Sequence, residues 1–344
     1  EDHSQQWHAS TPFDKLTGKL IKKGGSLPSY TKIFGEALVE IVKSNPKVVG
    51  ITGAMPDGTG LDYLQEHCPK NYFDVGIAEE HGVTFAAGLA TQGIIPVVAV
   101  YSTFLQRGFD QIIHDIALQK LHVVFVMDRA GLVGADGPTH HGVFDLSYLR
   151  MIPGMVIMAP KDEAELRNML YTAVEYKQGP IALRYPRGSA LGVEVKEGFT
   201  ALEIGKAEKL IEGDDVALLA LGSMVNYSLK ASATLREQGI NCEVINMRFA
   251  KPLDTDMLDY VASKFSKIFT LEENNLPGGF GSGVAEYFIS KNYKNDLSFI
   301  GIPDKFVEHG TQEELHHLLG IDPAGIVERV TTFTRLNKNH EVPL

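Results

Sequence analysis

From residue 29 onward the chain alternates between stretches with an apolar residue at every third or fourth position and short, largely apolar runs. Over 29–44, Ile33, Ala37, Leu38 and Ile41 fall on one stripe of a helix. Runs at 48–52, 72–75, 94–101, 123–128, 156–159 and 181–185 are too short for helices and carry little polar alternation, which predicts strands covered on both faces. Helical periods fill the intervals at 79–92, 104–118 and 162–176. The stretch 188–213 is richer in Gly and charge and reads as a boundary, placed near Val195. A second series follows, with strands at 216–221, 242–246, 267–271 and 297–302 and helices between them. Thr311 followed by Glu314 marks a capping-box start for a late helix. The expected fold class is α/β, with two parallel-sheet domains at 29–194 and 195–344. Residues 1–28, broken by Pro12, Gly18, Gly24, Gly25 and Pro28, read as a linker.

A length of 344 residues suits two such domains. The net charge of −11 argues against a nucleic-acid or anionic-membrane partner, and no apolar run is long enough to span a bilayer. Cys68 and Cys242, the two cysteines, have no metal-ligand spacing, which fits a reducing, cytoplasmic compartment. The start, Glu1-Asp-His-Ser-Gln-Gln6, has neither Met nor an apolar signal core and reads as the interior of a longer protein or a processed end.

Four strings fall where strands end, the place where open parallel sheets gather ligands. In Asp74-Val-Gly-Ile-Ala-Glu-Glu-His81 a strand turns into a helix. Glu79 and Glu80 there either complement the helix dipole or serve a ligand. Tyr101-Ser-Thr-Phe104-Leu-Gln-Arg107 feeds a helix, and by composition Phe104 counts as core. Asp128-Arg129 opens a glycine-rich loop carrying Asp136, His140 and His141, poor core material and good site material. Neighbouring loop histidines seldom share one ion, so a metal reading is weak. Arg184-Tyr-Pro-Arg187 places two guanidinium groups by a turn, a pattern suited to phosphate. A glycine-rich run at 278–283 gives no G-x-G-x-x-G, so its glycines are expected to serve close helix packing.

Ile77-Ala-Glu-Glu-His81 with Phe85-Ala-Ala-Gly-Leu-Ala90 resembles the pyrimidine-domain signature of transketolase-type thiamine-diphosphate enzymes. The Tyr101–Arg107 and Arg184–Gly188 strings resemble the 1-deoxy-D-xylulose-5-phosphate synthase branch. The resemblance implies that Glu79 hydrogen-bonds N1′ of the cofactor's aminopyrimidine, favouring the imino tautomer that removes the C2 proton. It implies that Phe104 stacks on the pyrimidine, and that Tyr101 and Arg107 lie near the substrates. Arg129 and Arg187 would hold the substrate phosphate, with Asp136 and His140 around donor and acceptor. In Trp7-His8-Ala9, His8 would reach the cofactor from the linker. His141 and Arg184 receive no role.

The implied reaction joins pyruvate and D-glyceraldehyde 3-phosphate, releasing CO₂ and giving a precursor of isoprenoids, thiamine and pyridoxal. A homodimer is implied as well. The family holds the diphosphate through Mg²⁺ with a Gly-Asp-Gly motif. The nearest strings, Pro56-Asp57-Gly58 and Ala135-Asp136-Gly137, lack the first Gly, so no metal ligand is assigned and the family's first domain is expected to be missing. The rival readings are a 2-oxoacid dehydrogenase β subunit and a non-catalytic partner module.

Overall fold

A computed structural model describes residues 13–18 and 27–338 of the chain, with side chains to residue 334. Its strands are β1 (Val48–Thr52), β2 (Tyr72–Asp74), β3 (Ile95–Tyr101), β4 (Val124–Asp128), β5 (Val156–Met158), β6 (Ile181–Arg184), β7 (Glu208–Ile211), β8 (Val216–Ala220), β9 (Cys242–Asn246), β10 (Phe249–Lys251), β11 (Lys267–Asn275) and β12 (Asp296–Ile302). They form two sheets, ordered β10-β5-β6-β4-β3-β1-β2 and β12-β11-β8-β9-β7. The main helices are α1 (Tyr30–Ser44), α2 (Glu79–Thr91), α3 (Asp145–Arg150), α4 (Glu163–Glu175), α5 (Met224–Glu237), α6 (Thr255–Lys264), α7 (Phe280–Ser290), α8 (Gln312–Leu319) and α9 (Pro323–Lys338).

Alternation along the central strands explains the layering, because successive side chains point to opposite faces. Val97 and Ala99 of β3, with Val124 and Val126 of β4, pack under α1 and α4. Val98, Val100, Phe125 and Met127 face the other way, into a core shared with Ala217, Leu219, Ile245 and Phe280 of the second unit. The far face of the second sheet has its own core under α5 and α9. The two units are therefore joined by one continuous apolar layer.

The sheets are not wholly parallel. β7 and β10 each run antiparallel to their neighbour, on one edge of each sheet. Both are short: β7 lies in the stretch read as a boundary and β10 in an interval where the pattern predicts only helix, and strand pairing supplies what local pattern does not. β10, from the second half of the chain, completes the first sheet. The stretch 104–118, expected as one helix, is broken: Ser102–Leu105 and Phe109–Gln111 are α-helical, Gln106–Gly108 is 3₁₀ and Ile112–Ala117 is π-helical. Gly108 lies at the break and packs closely, since a Cβ there would lie 2.8 Å from Val83 of α2. The glycines at 279 and 281 do serve close packing. The buried Glu272 carboxylate accepts from Phe280 N at 2.7 Å and Gly281 N at 2.8 Å, filling the start of α7 from within the protein. Burial pushes that carboxyl up to about 7.

Candidate active site

The predicted residues gather at and just beyond the carboxyl ends of β1, β3, β4 and β6. From β1 the chain goes to one side of the sheet for β2 and to the other for β3, so the strand order reverses there, the usual place for a ligand in an open α/β sheet. Glu79 reaches it by a defined turn. Asp74 Oδ1 accepts from Ala54 N at 2.8 Å and Gly76 N at 2.9 Å, Gly76 takes φ +71°, and α2 then begins at Glu79. Glu79 is 3% exposed whereas its neighbour Glu80 is exposed, which separates the two acids that the sequence leaves side by side.

A continuous run of contacts links the predicted residues. Arg107 Nη1 is 3.3 Å from Glu79 Oε2, and its Cζ lies 5.7 Å from the centroid of the Phe104 ring. Phe104 is half-buried, stacks on Tyr101 at 5.6 Å and meets His140 edge-on at 5.5 Å. Tyr101 in turn has the Arg129 guanidinium 3.9 Å above its ring, a cation–π contact. Asp136 Oδ2 accepts from Arg129 at 3.2 Å and from Arg187 at 2.8 Å. The β3–β4 register, Tyr101 opposite Asp128, sets this arrangement by placing Tyr101 beside the residue that precedes Arg129. Arg129 has φ +60°, a left-handed conformation uncommon for a non-glycine residue and often found at functional sites. His8 lies outside the described residues.

The electrostatics follow from burial. The Tyr101 phenol is pushed up by burial, which the nearby Arg129 opposes. Asp128, fully buried beneath Arg129, is pushed up to about 6 by burial, although the Thr31 hydroxyl donates to it at 2.6 Å. Thr139 Oγ1 lies 2.9 Å from His140 Nδ1, and the other ring nitrogen has no partner among the described residues. Gly58, from the string that resembles a metal motif, has another use: a Cβ there would collide with the Tyr101 hydroxyl. Among the described residues no group of three or more His, Cys, Asp or Glu could hold a metal ion.

Two regions of the chain match family models, the transketolase pyrimidine-binding domain over residues 27–191 and the transketolase C-terminal domain over 205–326. A solved split-gene transketolase, described as an inactive β4 tetramer, is 30% identical with a TM-score of 0.78, and the match covers 90% of this chain and 98% of that one. This chain belongs to the transketolase family. It is also 53% identical over 96% of its length to 1-deoxy-D-xylulose-5-phosphate synthase of Acaryochloris marina, of which it spans 52%. The same-named enzyme of Synechocystis is 54% identical over 94% of this chain and 51% of its own length. The chain thus spans about half the length of the curated relatives it matches.

Within this transketolase-family fold the structure also shows residues that sequence reasoning left without a role. Arg184 is a buried strut: its Nε donates to Asp145 at 2.9 Å, and Nη2 donates to Gly142 O at 3.2 Å and Glu273 O at 3.1 Å. His141 is buried, with Nδ1 accepting from Val133 N at 3.1 Å and Nε2 facing Glu308 O at 3.2 Å. Both of its nitrogens are used in holding the loop, and burial lowers its pKa. Asp145, Glu273 and His316 carried no motif that could have marked them. Their side-chain partners are 39 or more residues away in sequence.

Proposed function

We propose that this chain supplies the pyrimidine-side wall and the phosphate-binding arm of an enzyme that joins pyruvate to D-glyceraldehyde 3-phosphate. CO₂ leaves, a proton is taken up, and 1-deoxy-D-xylulose 5-phosphate forms. The observation that carries this reading is the unbroken run from Glu79 through Arg107, Phe104, Tyr101 and Arg129 to Arg187. The 51–54% identity to enzymes of that name favours it over a 2-oxoacid dehydrogenase β subunit.

The residues fit an aromatic heterocycle. Glu79 offers a buried carboxylate, and Gly53 faces it with no side chain: a Cβ there would come within 3.7 Å of Glu79 Cγ and 3.2 Å of Gly76 O. Phe104 offers a ring for stacking. Thiamine diphosphate bound there would supply the electron sink for breaking a carbon–carbon bond of a 2-oxo acid. Glu79 would hold a proton at the ring nitrogen that faces it, and His140 would present its unpartnered nitrogen to the substrates. Arg129 and Arg187 would take the phosphate in place of the Asp136 carboxylate, which already pairs with both and keeps them together.

Arg129→Ala and Arg187→Ala then weaken the phosphorylated aldehyde and spare pyruvate. A charged hydrogen bond is worth about 1.5–3 kcal/mol, and release of Asp136 offsets part of it, so KM for the aldehyde rises about tenfold. Steady-state kinetics with each substrate varied would show this, and an equal rise for both substrates would make the arginines structural. Production of CO₂ and the pentulose phosphate by the complete enzyme tests the overall reading.

The diphosphate and Mg²⁺ belong, in this reading, to a further domain, and the working assembly is a cytoplasmic homodimer in which residues 29–194 and 195–344 of each chain are separate domains. Residues 1–344 alone would bind the cofactor with Mg²⁺ only weakly, because most of its charge sits at the diphosphate end and needs metal-held oxygen ligands. Titration calorimetry with and without a diphosphate-binding half checks this, and micromolar binding by 1–344 alone would place the diphosphate site within the chain.

A further inference from the structure

The loop that carries Arg129, Asp136 and His140 is gripped by the second unit at its backbone. Leu132 N donates to Glu273 Oε1 at 2.9 Å, and Gln312 Nε2 donates to Leu132 O at 2.6 Å. The same Gln312 amide donates to Arg187 O at 3.2 Å, so one side chain ties together the two segments that bear the cations of the arm. Gly131 fits this contact on two counts: its φ is +83°, and a Cβ would lie 2.4 Å from Glu273 Cδ.

Glu273 is itself fixed from all sides. Ser223 Oγ donates to Oε2 at 2.6 Å, His316 Nε2 lies 2.8 Å from Oε1, and Tyr227 OH lies 2.9 Å from His316 Nδ1. Burial would raise the Glu273 pKa, yet His316, Ser223 and Leu132 N hold it below the usual carboxylate range. Burial would lower that of His316, and the Glu273 charge more than offsets this. A buried ion pair is a poor source of net stability, because desolvating both charges cancels most of their attraction. It is well suited to fixing a geometry, since both carboxylate oxygens are committed to named donors.

We infer that Glu273, Gln312 and His316 are positioning residues, which lock the Gly131–Val133 backbone and thereby set Arg129 and Arg187 for the substrate phosphate. The inference rests on the reading of those arginines as the phosphate arm, and it assigns to the C-terminal unit a part in substrate recognition.

Hydrogen exchange over residues 130–142, combined with kinetics of the complete enzyme, tests it. In Glu273→Leu and in Gln312→Ala, exchange in this segment speeds up roughly three- to tenfold for the lost bond, while β4 and β8 stay protected. KM for the phosphorylated aldehyde rises by a similar factor, with kcat and KM for pyruvate little changed. Gln312 is partly exposed at the start of α8, so its variant folds even if Glu273→Leu does not. Glu273→Gln keeps an acceptor for Leu132 N and turns an amide toward Ser223 Oγ, and so restores both readouts. Unchanged exchange in both disruptive variants overturns the inference. Faster exchange with no change in KM also overturns it, provided Arg187→Ala still raises KM. If Arg187→Ala leaves KM unmoved as well, the reading of the arm has failed and the inference falls with it.

Discussion

Glu79→Gln lowers turnover of the complete enzyme by about 10²–10⁴-fold, the usual contribution of a positioned acid–base group, and leaves the fold in place. The carboxylate is almost wholly buried at the first position of α2. An amide of the same shape keeps the packing against Gly53 but cannot exchange a proton with a ring nitrogen. The change also removes the partner of Arg107, which is about half exposed and returns to water. An exposed guanidinium loses little by this, about 1 kcal/mol or less, so the melting temperature barely moves. Pre-steady-state kinetics and the exchange rate of the cofactor's C2 proton read the effect directly. Near-normal values in Glu79→Gln, with loss in Glu80→Gln, would transfer the role to the exposed neighbour.

Asp145→Leu has the largest expected effect on stability. Asp145 has a fully buried side chain at the start of α3, where Oδ2 accepts from Arg184 Nε at 2.9 Å and Ser102 Oγ at 3.0 Å, and Oδ1 accepts from Leu146 N at 2.7 Å. Removing it strands the Arg184 charge, 5% exposed, against two backbone carbonyls. Breaking one partner of such a pair costs about 3–5 kcal/mol, which for units of this size lowers the melting temperature on the order of 10 °C. The double change Asp145→Leu with Arg184→Met recovers most of the loss, because no charge is then left buried. Thermal melts of the two variants separate the possibilities. A loss no greater than that of an exposed pair such as Lys206–Asp256 would show that Arg184 rehydrates and that the strut is dispensable.

The repeated strand–helix pattern and most strand positions were legible from hydrophobic periodicity alone. β1 and β9 occupy the residues expected, and β3, β4, β5 and β6 differ by one residue at an end. A strand buried on both faces must be apolar throughout, so these runs stand out locally. The edge strands β7 and β10 do not: each is short and pairs on one side, and its identity depends on a partner strand elsewhere in the chain. The broken helix after β3 is likewise not recorded by periodicity, and neither is the close approach of Val83 to Gly108 within it.

The candidate site divides in the same way. Glu79, Arg129, Asp136, His140 and Arg187 were marked by their strings, since chemistry at strand ends needs particular residue types close together in sequence, whereas Phe104 reads as core and was marked only by the family resemblance. Tertiary structure alone decided how they meet. It buried Glu79 and exposed Glu80, set Arg107 on Glu79, and placed Asp136 between two arginines 51 residues apart from it or nearer. It also gave Arg184, which the sequence left without a role, Asp145 as its partner, and brought Glu273 and Gln312 onto a loop well over a hundred residues earlier, with His316 held on Glu273. A local string reports what a residue can do. Whether it faces solvent, a ligand or a buried partner is settled only when distant segments pack, because desolvation and pairing are properties of the assembled environment rather than of the residue.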